Sequence, residues 1–195
     1  MRFFGFSVLL VFLMGTAVTP LRAQDASKTQ SATAPAATAQ PAARPADVAS
    51  PDAIMAATYD VISGPASQKR DWDRFRSLFA PDARLIPAGP IKNGSGFKID
   101  PLSPDQYATL ADPYFQKNGF AEREIARKTE RYGNIMQIFS TYESRHDAKD
   151  EKPFARGINS FQLFYDGTRW WVVTILWQEE TPDYPLPKEF LPATK

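Results

Sequence analysis

Carboxylates, tyrosines and a single histidine are the residues of this chain that could carry out chemistry. The sequence has no cysteine and one histidine, His146, which excludes a catalytic thiolate and a His-rich metal site. His146 lies in the polar segment ESRHDAKDEKP, which is typical of a solvent-exposed hairpin loop. The glycines show no phosphate-loop spacing. Acid–base chemistry and binding without catalysis remain, and no metal or organic cofactor is expected.

A predicted β-hairpin carries the most informative carboxylates. The segments FAEREIARKTERY and IMQIFSTYESR flank Gly133-Asn134, a two-residue loop whose residue types accept positive φ. Tyr132 then pairs with Ile135, and this pairing predicts the register of the whole hairpin.

The predicted register places Glu124 opposite Glu143 and Glu122 opposite Arg145. Two facing carboxylates are unfavourable unless a cation or a raised pKa relieves them, and Arg156 in the next strand could supply the cation. One interpretation is a polar pocket floor in which Glu124 or Glu143 acts as an acid or base. The other is a solvated charge ladder on an exposed strand. The charges on both faces of EREIARKTER favour the second.

Tyr59 and Asp60, near the end of the first predicted helix, are the other candidates for chemistry. A tyrosine there can donate a hydrogen bond to a ligand oxygen, or can be a core residue with its hydroxyl at the edge. Tyr142 and Trp177 line either a cavity or a dimer face, because a one-residue slip in the last hairpin exchanges the faces. The predicted ligand-binding residues are therefore Tyr59, Tyr142, Arg156 and Trp177.

The last predicted strand is apolar on both faces. An ordinary antiparallel strand alternates, because one face meets water. Strict alternation here gives one row of Trp171, Val173, Ile175 and Trp177, and a second row of Trp170, Val172 and Leu176. Helices can cover one face. The other face requires a steeply curved sheet around a cavity, a second subunit, or the tail TPDYPLPKEFLP folded back over it.

Three helices are predicted before the strands. They run from the N-cap Ser50 to Gly64, from the N-cap Asp71 to Pro81, and from the N-cap Ser103 to Gly119. Pro113 would break a continuous third helix, so a restart after Asp112 is expected. DARLIP and GFKID are predicted short strands, and a four-stranded antiparallel meander follows Gly119. This order predicts an α+β domain with N-terminal helices packed on a curved antiparallel sheet.

The N-terminal segments predict export. Residues 1–23 contain Arg2 followed by the apolar run Phe3 to Val18 and a small residue, Ala23, before a plausible cleavage site, as in a signal peptide. The run is shorter than the about 20 residues of a spanning helix. Residues 24–50 are rich in Ala and Pro and predict a disordered linker. Residues 51–195 form the predicted domain, which is expected to be secreted or periplasmic.

The overall charge indicates neither a nucleic-acid partner nor an anionic membrane surface. The chain of 195 residues has 23 basic and 22 acidic side chains and a net charge of +1, too balanced for either. After signal cleavage no stable membrane insertion is expected.

Two stretches give the sequence a family resemblance. The residues Leu78–Ala83, LFAPDA, and Asp166–Trp170, DGTRW, in this order of helices and strands, resemble the nuclear-transport-factor-2-like superfamily, especially its exported SnoaL-like members. The resemblance implies a cone-shaped, cystatin-like α+β fold with a pocket between helices and sheet, often paired into homodimers through the outer sheet face. Some members, such as ketosteroid isomerase, scytalone dehydratase and polyketide cyclases, are enzymes with a carboxylate or histidine base. Others only bind, so the fold leaves function open.

Three hypotheses follow for function. The first is an exported module that binds a small apolar ligand or an interaction partner, because aromatic residues are abundant and no convincing acid–base pair is evident. The second is a cofactor-independent isomerase, dehydratase or cyclase that acts on a small hydrophobic substrate through Tyr59 or Asp60 with Glu124, Glu143 and Arg156. The third is a structural homodimer module.

Overall fold

The computed structural model describes residues 40–92 and 94–193. The predicted signal peptide 1–23 and residues 24–39 of the predicted linker lie outside the described residues. The helices are α1 (Pro45–Val48), α2 (Pro51–Ile62), α3 (Trp72–Ser77) and α4 (Pro104–Asn118). The strands are β1 (Phe79–Pro90), β2 (Phe97–Ile99), β3 (Ala121–Tyr132), β4 (Ile135–Arg145), β5 (Ala155–Tyr165) and β6 (Trp170–Glu179), followed by a 3₁₀ turn, Lys188–Phe190.

One curved sheet of six strands in the order β2-β1-β6-β5-β4-β3 forms the centre of the domain. Strands β3 to β6 form the predicted antiparallel meander, whereas β1 pairs parallel to β6. The helices pack on one face, called the inner face here, and the core lies between them. Its fully buried side chains include Ile54, Phe75, Phe79, Ile138, Phe161 and Val172. The predicted α+β class is confirmed. Among the described residues, no helix has both the length and the apolar character needed to cross a membrane.

The helix starts follow the sequence pattern. The Ser50 hydroxyl accepts a hydrogen bond from the Ala53 amide at 3.1 Å, and Ser103 forms a complete capping box with Gln106. Gly119 ends α4 at a φ of 72°, in the region that glycine adopts without strain. Local side-chain chemistry thus sets where these helices begin and end.

Two proline predictions are wrong. Helix α3 ends at Ser77 and β1 starts at Phe79, so Pro81 lies inside a strand. Helix α4 is continuous through Pro113. The carbonyl that Pro113 leaves without an amide donor belongs to Thr109, an exposed residue, so water can satisfy it and the helix need not break.

The folded unit begins before the predicted boundary at Ser50. Helix α1 lies in the predicted linker, and its Val48 is buried. Asp47 receives a hydrogen bond from Arg74 at 2.7 Å, and the Gln40 side-chain amide donates to the Phe79 carbonyl. One apolar anchor and these polar contacts hold a segment whose composition alone predicts disorder.

A β-bulge changes the faces of β6. The ladder with β5 shifts between Gln162 and Leu163, so Leu163 pairs with Val172 while Phe161 pairs with Ile175. As a result Trp170, Val172, Ile175 and Trp177 all lie on the inner face. The two predicted rows are therefore wrong, because strict alternation does not hold across a bulge.

The C-terminal tail covers part of the outer face. The Phe190 ring packs 5.7 Å from the Phe139 ring, and the Thr141 hydroxyl donates to the Phe190 carbonyl at 2.6 Å. On β6, Val173 and Leu176 stay 37% and 40% exposed. The tail thus covers part of β4, whereas this stretch of β6, the strand over which it was predicted to fold, lies open.

Candidate functional site

A cavity of about 420 Å³ lies between the inner face of the sheet and helices α2 and α4. This is the position that the family resemblance implies. Most of its wall is aromatic or aliphatic: Ile62, Phe75, Leu85, Leu102, Tyr107, Leu110, Tyr114, Phe115, Phe120, Phe154, Phe161, Ile175 and Trp177. Its polar lining includes Tyr59, Glu122, Tyr142, Ser144, Asn159 and Glu179.

Glu122, on β3, is a half-buried carboxylate in the cavity wall. It accepts hydrogen bonds from the Ser144 hydroxyl at 2.7 Å and from the Asn159 amide at 3.3 Å. Both donors are neutral, and Glu122 has no ion pair with any described residue. Burial raises the pKa of Glu122 to about 7, although the two hydrogen bonds oppose the rise. This carboxyl therefore changes charge near neutral pH.

Tyr59 belongs to a directed chain of buried hydrogen bonds. The Ser140 hydroxyl donates its hydrogen bond to Glu124. It therefore acts as the acceptor for the Tyr59 hydroxyl, at 2.7 Å. The Tyr59 oxygen in turn accepts from the Asn159 amide at 3.1 Å. Arg127 holds Glu124 at the end of the chain, at 2.6 Å. Tyr59 lines the cavity, but its hydroxyl already donates its one hydrogen bond to Ser140 and cannot donate another to a ligand.

Tyr107 and Tyr142, in contrast, line the cavity without any hydrogen bond from their hydroxyls to the described residues. Every fully enclosed side-chain nitrogen or oxygen in the described part of the chain has a partner. The two hydroxyls therefore meet open space. Burial is the main cause that raises the pKa of both phenols above the ordinary value, and the negative charge of Glu122 is the second. Both phenols therefore keep their protons at neutral pH.

Gly157 makes room for the Tyr142 phenol. A Cβ on Gly157 would lie 2.7 Å from the Tyr142 hydroxyl and 2.3 Å from the Gln178 carbonyl oxygen. Across the ladder Gly157 pairs with Glu179, an exposed residue of the cavity wall. Burial, together with the negative charges of Glu122 and Glu179, raises the pKa of Tyr142 above its ordinary value.

Three of the predicted site residues lie in the cavity wall: Tyr59, Tyr142 and Trp177. Trp177 packs edge-on against Tyr107, with 6.2 Å between the ring centroids. Glu124 lies behind the wall and reaches the cavity only through Ser140 and Tyr59.

The other predicted residues lie elsewhere. Asp60 is exposed and pairs with Arg74 at 2.5 Å. Arg156 pairs with Glu180 at 2.8 Å and does not line the cavity.

Glu143 lies on the outer face, with Arg123 at 2.5 Å and Arg145 at 2.6 Å. The predicted pairing of Glu124 with Glu143 is wrong: Glu124 lies opposite Tyr142, and Glu143 lies opposite Arg123.

Sequence reasoning missed Glu122 as a cavity residue because it extended one register through the whole hairpin. The pairing of Tyr132 with Ile135 is confirmed, but the ladder shifts between Glu124 and Ala126. No residue type at this point signals a bulge. Asn159 did carry a signal, because it alternates in phase with the inward-facing Phe161 and Leu163. A polar residue in an apolar row indicates a buried polar network. Within residues 40–92 and 94–193, no three His, Asp or Glu side chains cluster as metal ligands.

Comparison with known proteins identifies the fold. No known family model matches the sequence, and no curated protein is significantly similar to it. A solved structure from Thiobacillus denitrificans, provisionally named as a calcium/calmodulin-dependent protein kinase type II association domain, superposes with a TM-score of 0.50 at 13% identity. The match covers 68% of this chain and 96% of that one.

Two further structures are proteins of unknown function. A cystatin-like protein from Nostoc punctiforme gives a TM-score of 0.49 at 11% identity, covering 68% of this chain and 89% of that one. An NTF-2 like protein from Silicibacter pomeroyi gives a TM-score of 0.44 at 12% identity, and the match covers 68% of this chain and 94% of that one. The chain shares with the Thiobacillus denitrificans structure the α+β fold that the sequence predicts, with helices packed on one face of a curved, mostly antiparallel sheet. At this identity the likeness concerns the fold alone.

Proposed function

We propose that this protein binds a small, mainly apolar molecule in the cavity, with the polar group of the ligand directed at Glu122 and Tyr142. The observation that carries the proposal is an aromatic cavity of about 420 Å³ with hydrogen-bonding groups left unused in its wall. Ligand sites have this size and this mixture of apolar walls with a few polar groups. The unused Tyr142 hydroxyl can both donate and accept.

A fragment screen tests this proposal directly. Neutral aromatic fragments should raise the Tm of the domain, and ligand-observed NMR should detect their binding. Ala111→Phe places a ring into the cavity from α4 and should abolish the response. Leu176→Phe adds the same ring on the open outer face and serves as the matched control. An equal response from both variants, or no binding to the wild type, would contradict the proposal.

A second candidate is the cofactor-independent acid–base enzyme, with Glu122 as its base. It is favoured by the position of Glu122 in the cavity wall, where burial raises its pKa to about 7, since a general base works best when its pKa lies near the operating pH. The test is deuterium exchange at the carbon next to the carbonyl of small cyclic ketones, followed by NMR. Glu122→Gln should abolish exchange, and Glu130→Gln, an exposed change on the same strand, should leave it intact.

Two further proposals concern export of the protein and formation of a homodimer. Mass spectrometry of the mature protein should find an N-terminus at Gln24, and fractionation should find it outside the cytoplasm. A homodimer through the outer face is supported by the exposed Phe164, Val173 and Leu176. Light scattering should report a dimer for the wild type and a monomer for Leu176→Glu. An unprocessed cytoplasmic chain would contradict export, and a monomeric wild type would contradict pairing.

A further inference from the structure

We propose that the cavity selects organic cations, that is, protonated or quaternary amines on an apolar body, with the positive charge held between Glu122 and the Tyr142 hydroxyl. This inference rests on the proposed binding function and names its ligand class.

The charge of the cavity wall has one sign. Among the described residues, the charged ones that line it are Glu122 and Glu179, and no described Lys, Arg or His does so. Neither carboxylate forms an ion pair with a described residue. Placing a second negative charge beside Glu122 in this half-buried site would be strongly unfavourable, whereas a cation would relieve it.

The arginines around the cavity are already committed. Arg127 pairs with Glu124 and Asp52, and Arg156 pairs with Glu180. Because these guanidinium groups have carboxylate partners, a ligand cation faces no internal competitor for Glu122.

Arg70 is held in a different way. Its guanidinium donates to the backbone carbonyls of Ile62, Gly64 and Gln68 at 2.6–2.8 Å. Because these carbonyls engage its guanidinium, Arg70 forms no ion pair with Glu122, which has no counterion among the described residues.

Tyr142 completes the site. It is 5% exposed, lines the cavity, and its hydroxyl has no protein partner among the described residues. A neutral phenol oxygen can accept a hydrogen bond from an ammonium, although more weakly than a carboxylate does. An ammonium at this point would give the Glu122 carboxylate a counterion, which a neutral apolar ligand cannot supply.

The aromatic wall suits the same ligand. Tyr107, Trp177 and Phe120 line the cavity, and the face of an aromatic ring attracts a cation within about 6 Å of its centroid. Tyr107 and Trp177 meet edge to face, which leaves ring surface available. Rings and carboxylates together are the usual recognition elements for ammonium groups.

Three probes of one shape test the inference: 2-naphthylmethylamine, 2-naphthylmethanol and 2-naphthoic acid, measured by calorimetry at pH 7.5. The protonated amine should bind about tenfold more tightly than the alcohol, and the acid most weakly. In Glu122→Gln the amine and alcohol should differ by no more than about threefold. Glu130→Gln removes the same charge from an exposed position of β3 and should retain the full preference.

The remaining outcomes contradict either the cation inference or the proposed binding function. Equal binding of amine and alcohol to the wild type, or tightest binding of the acid, overturns the cation inference and leaves the binding function intact. Failure of all three probes and of the neutral fragments overturns the proposed function itself. If Glu122→Gln does not fold, Tyr142→Phe should still weaken the amine preference, and an unchanged preference in that variant would reject the inference.

Discussion

Glu122 and Glu143 lie on opposite faces of the same hairpin and differ in almost every physical respect. On the outer face, burial pushes the pKa of Glu143 up, but hydrogen bonds and charges from Arg145 and Arg123 outweigh it, and the pKa is lowered. On the inner face Glu122 has only the neutral donors Ser144 and Asn159, and burial raises its pKa to about 7. Burial acts on both carboxyl groups, so the difference comes from nearby cations. Glu143 is held in ion pairs with arginines, whereas Glu122 is available to interact with a ligand.

One β-bulge creates this difference. Without the ladder shift between Glu124 and Ala126, Glu122 would lie opposite Arg145, as the sequence predicts. With the shift, Glu122 lies opposite Ser144 and faces the cavity. A single extra residue in β3 thus exchanges a charged neighbour for a hydroxyl.

Removing the outer carboxylate should give the largest effect. Glu143→Gln leaves Arg145, which is 8% exposed, as a buried cation without its anion, so the free energy of unfolding should fall by about 3 kcal/mol. Urea denaturation at pH 7 measures the change. Glu130→Gln should change stability by less than about 0.5 kcal/mol. A loss as small as that control would show that the two faces do not differ as described.

Removing the inner carboxylate should alter the pH dependence of stability. The folded pKa of Glu122 is about 7 and its ordinary value 4.5, so the folded state keeps a proton that the unfolded state has lost. Through this group the free energy of unfolding declines as pH rises from about 4.5 to about 7, by roughly 3 kcal/mol at most, and is level outside that window.

The difference between wild type and Glu122→Gln isolates this contribution, because the other titrating groups are common to both proteins. Urea denaturation of both from pH 4 to pH 8 should show the wild type losing stability relative to the variant as pH rises. The phenols of Tyr59 and Tyr142 do not interfere, since burial raises their pKa above the ordinary value. Parallel stability curves would refute the raised pKa.

Two tyrosines of the inner face should respond differently to loss of the hydroxyl. Tyr59→Phe breaks the chain between Asn159 and Ser140 and should lower the free energy of unfolding by about 1–2 kcal/mol. Tyr142→Phe removes a hydroxyl that has no partner among the described residues and should change stability by less than about 0.5 kcal/mol while weakening amine binding. Equal losses of stability would mean that Tyr142 has a structural partner.

The tail should contribute the smallest effect. Phe190→Ala removes the ring packed on Phe139, and because Phe190 is only half-buried, thermal unfolding should show a loss of about 1 kcal/mol. Glu189→Ala, an exposed neighbour, is the control. A negligible loss for Phe190→Ala would show that the tail does not stabilise the outer face.

Much of the fold could be predicted because its signals are local. Ser50 and Ser103 are N-caps, Gly119 has positive φ, and Tyr132 pairs with Ile135 as its two-residue turn requires. The site could be predicted only in part. Tyr142 and Trp177 lie in its wall, but Glu122 was paired with Arg145 instead of Ser144, because a bulge depends on how the strand must bend around the helices.

By itself, the sequence determined the α+β class, the helix starts and the meander, since capping, periodicity and turn chemistry act over a few residues. Tertiary structure alone decided that Glu122 faces a cavity without a cation, that Glu143 is held by two arginines, and that residues 40–50 join the fold. Those outcomes depend on contacts between residues far apart in the chain. One residue of register, unmarked in the sequence, changes the neighbours of every side chain beyond it.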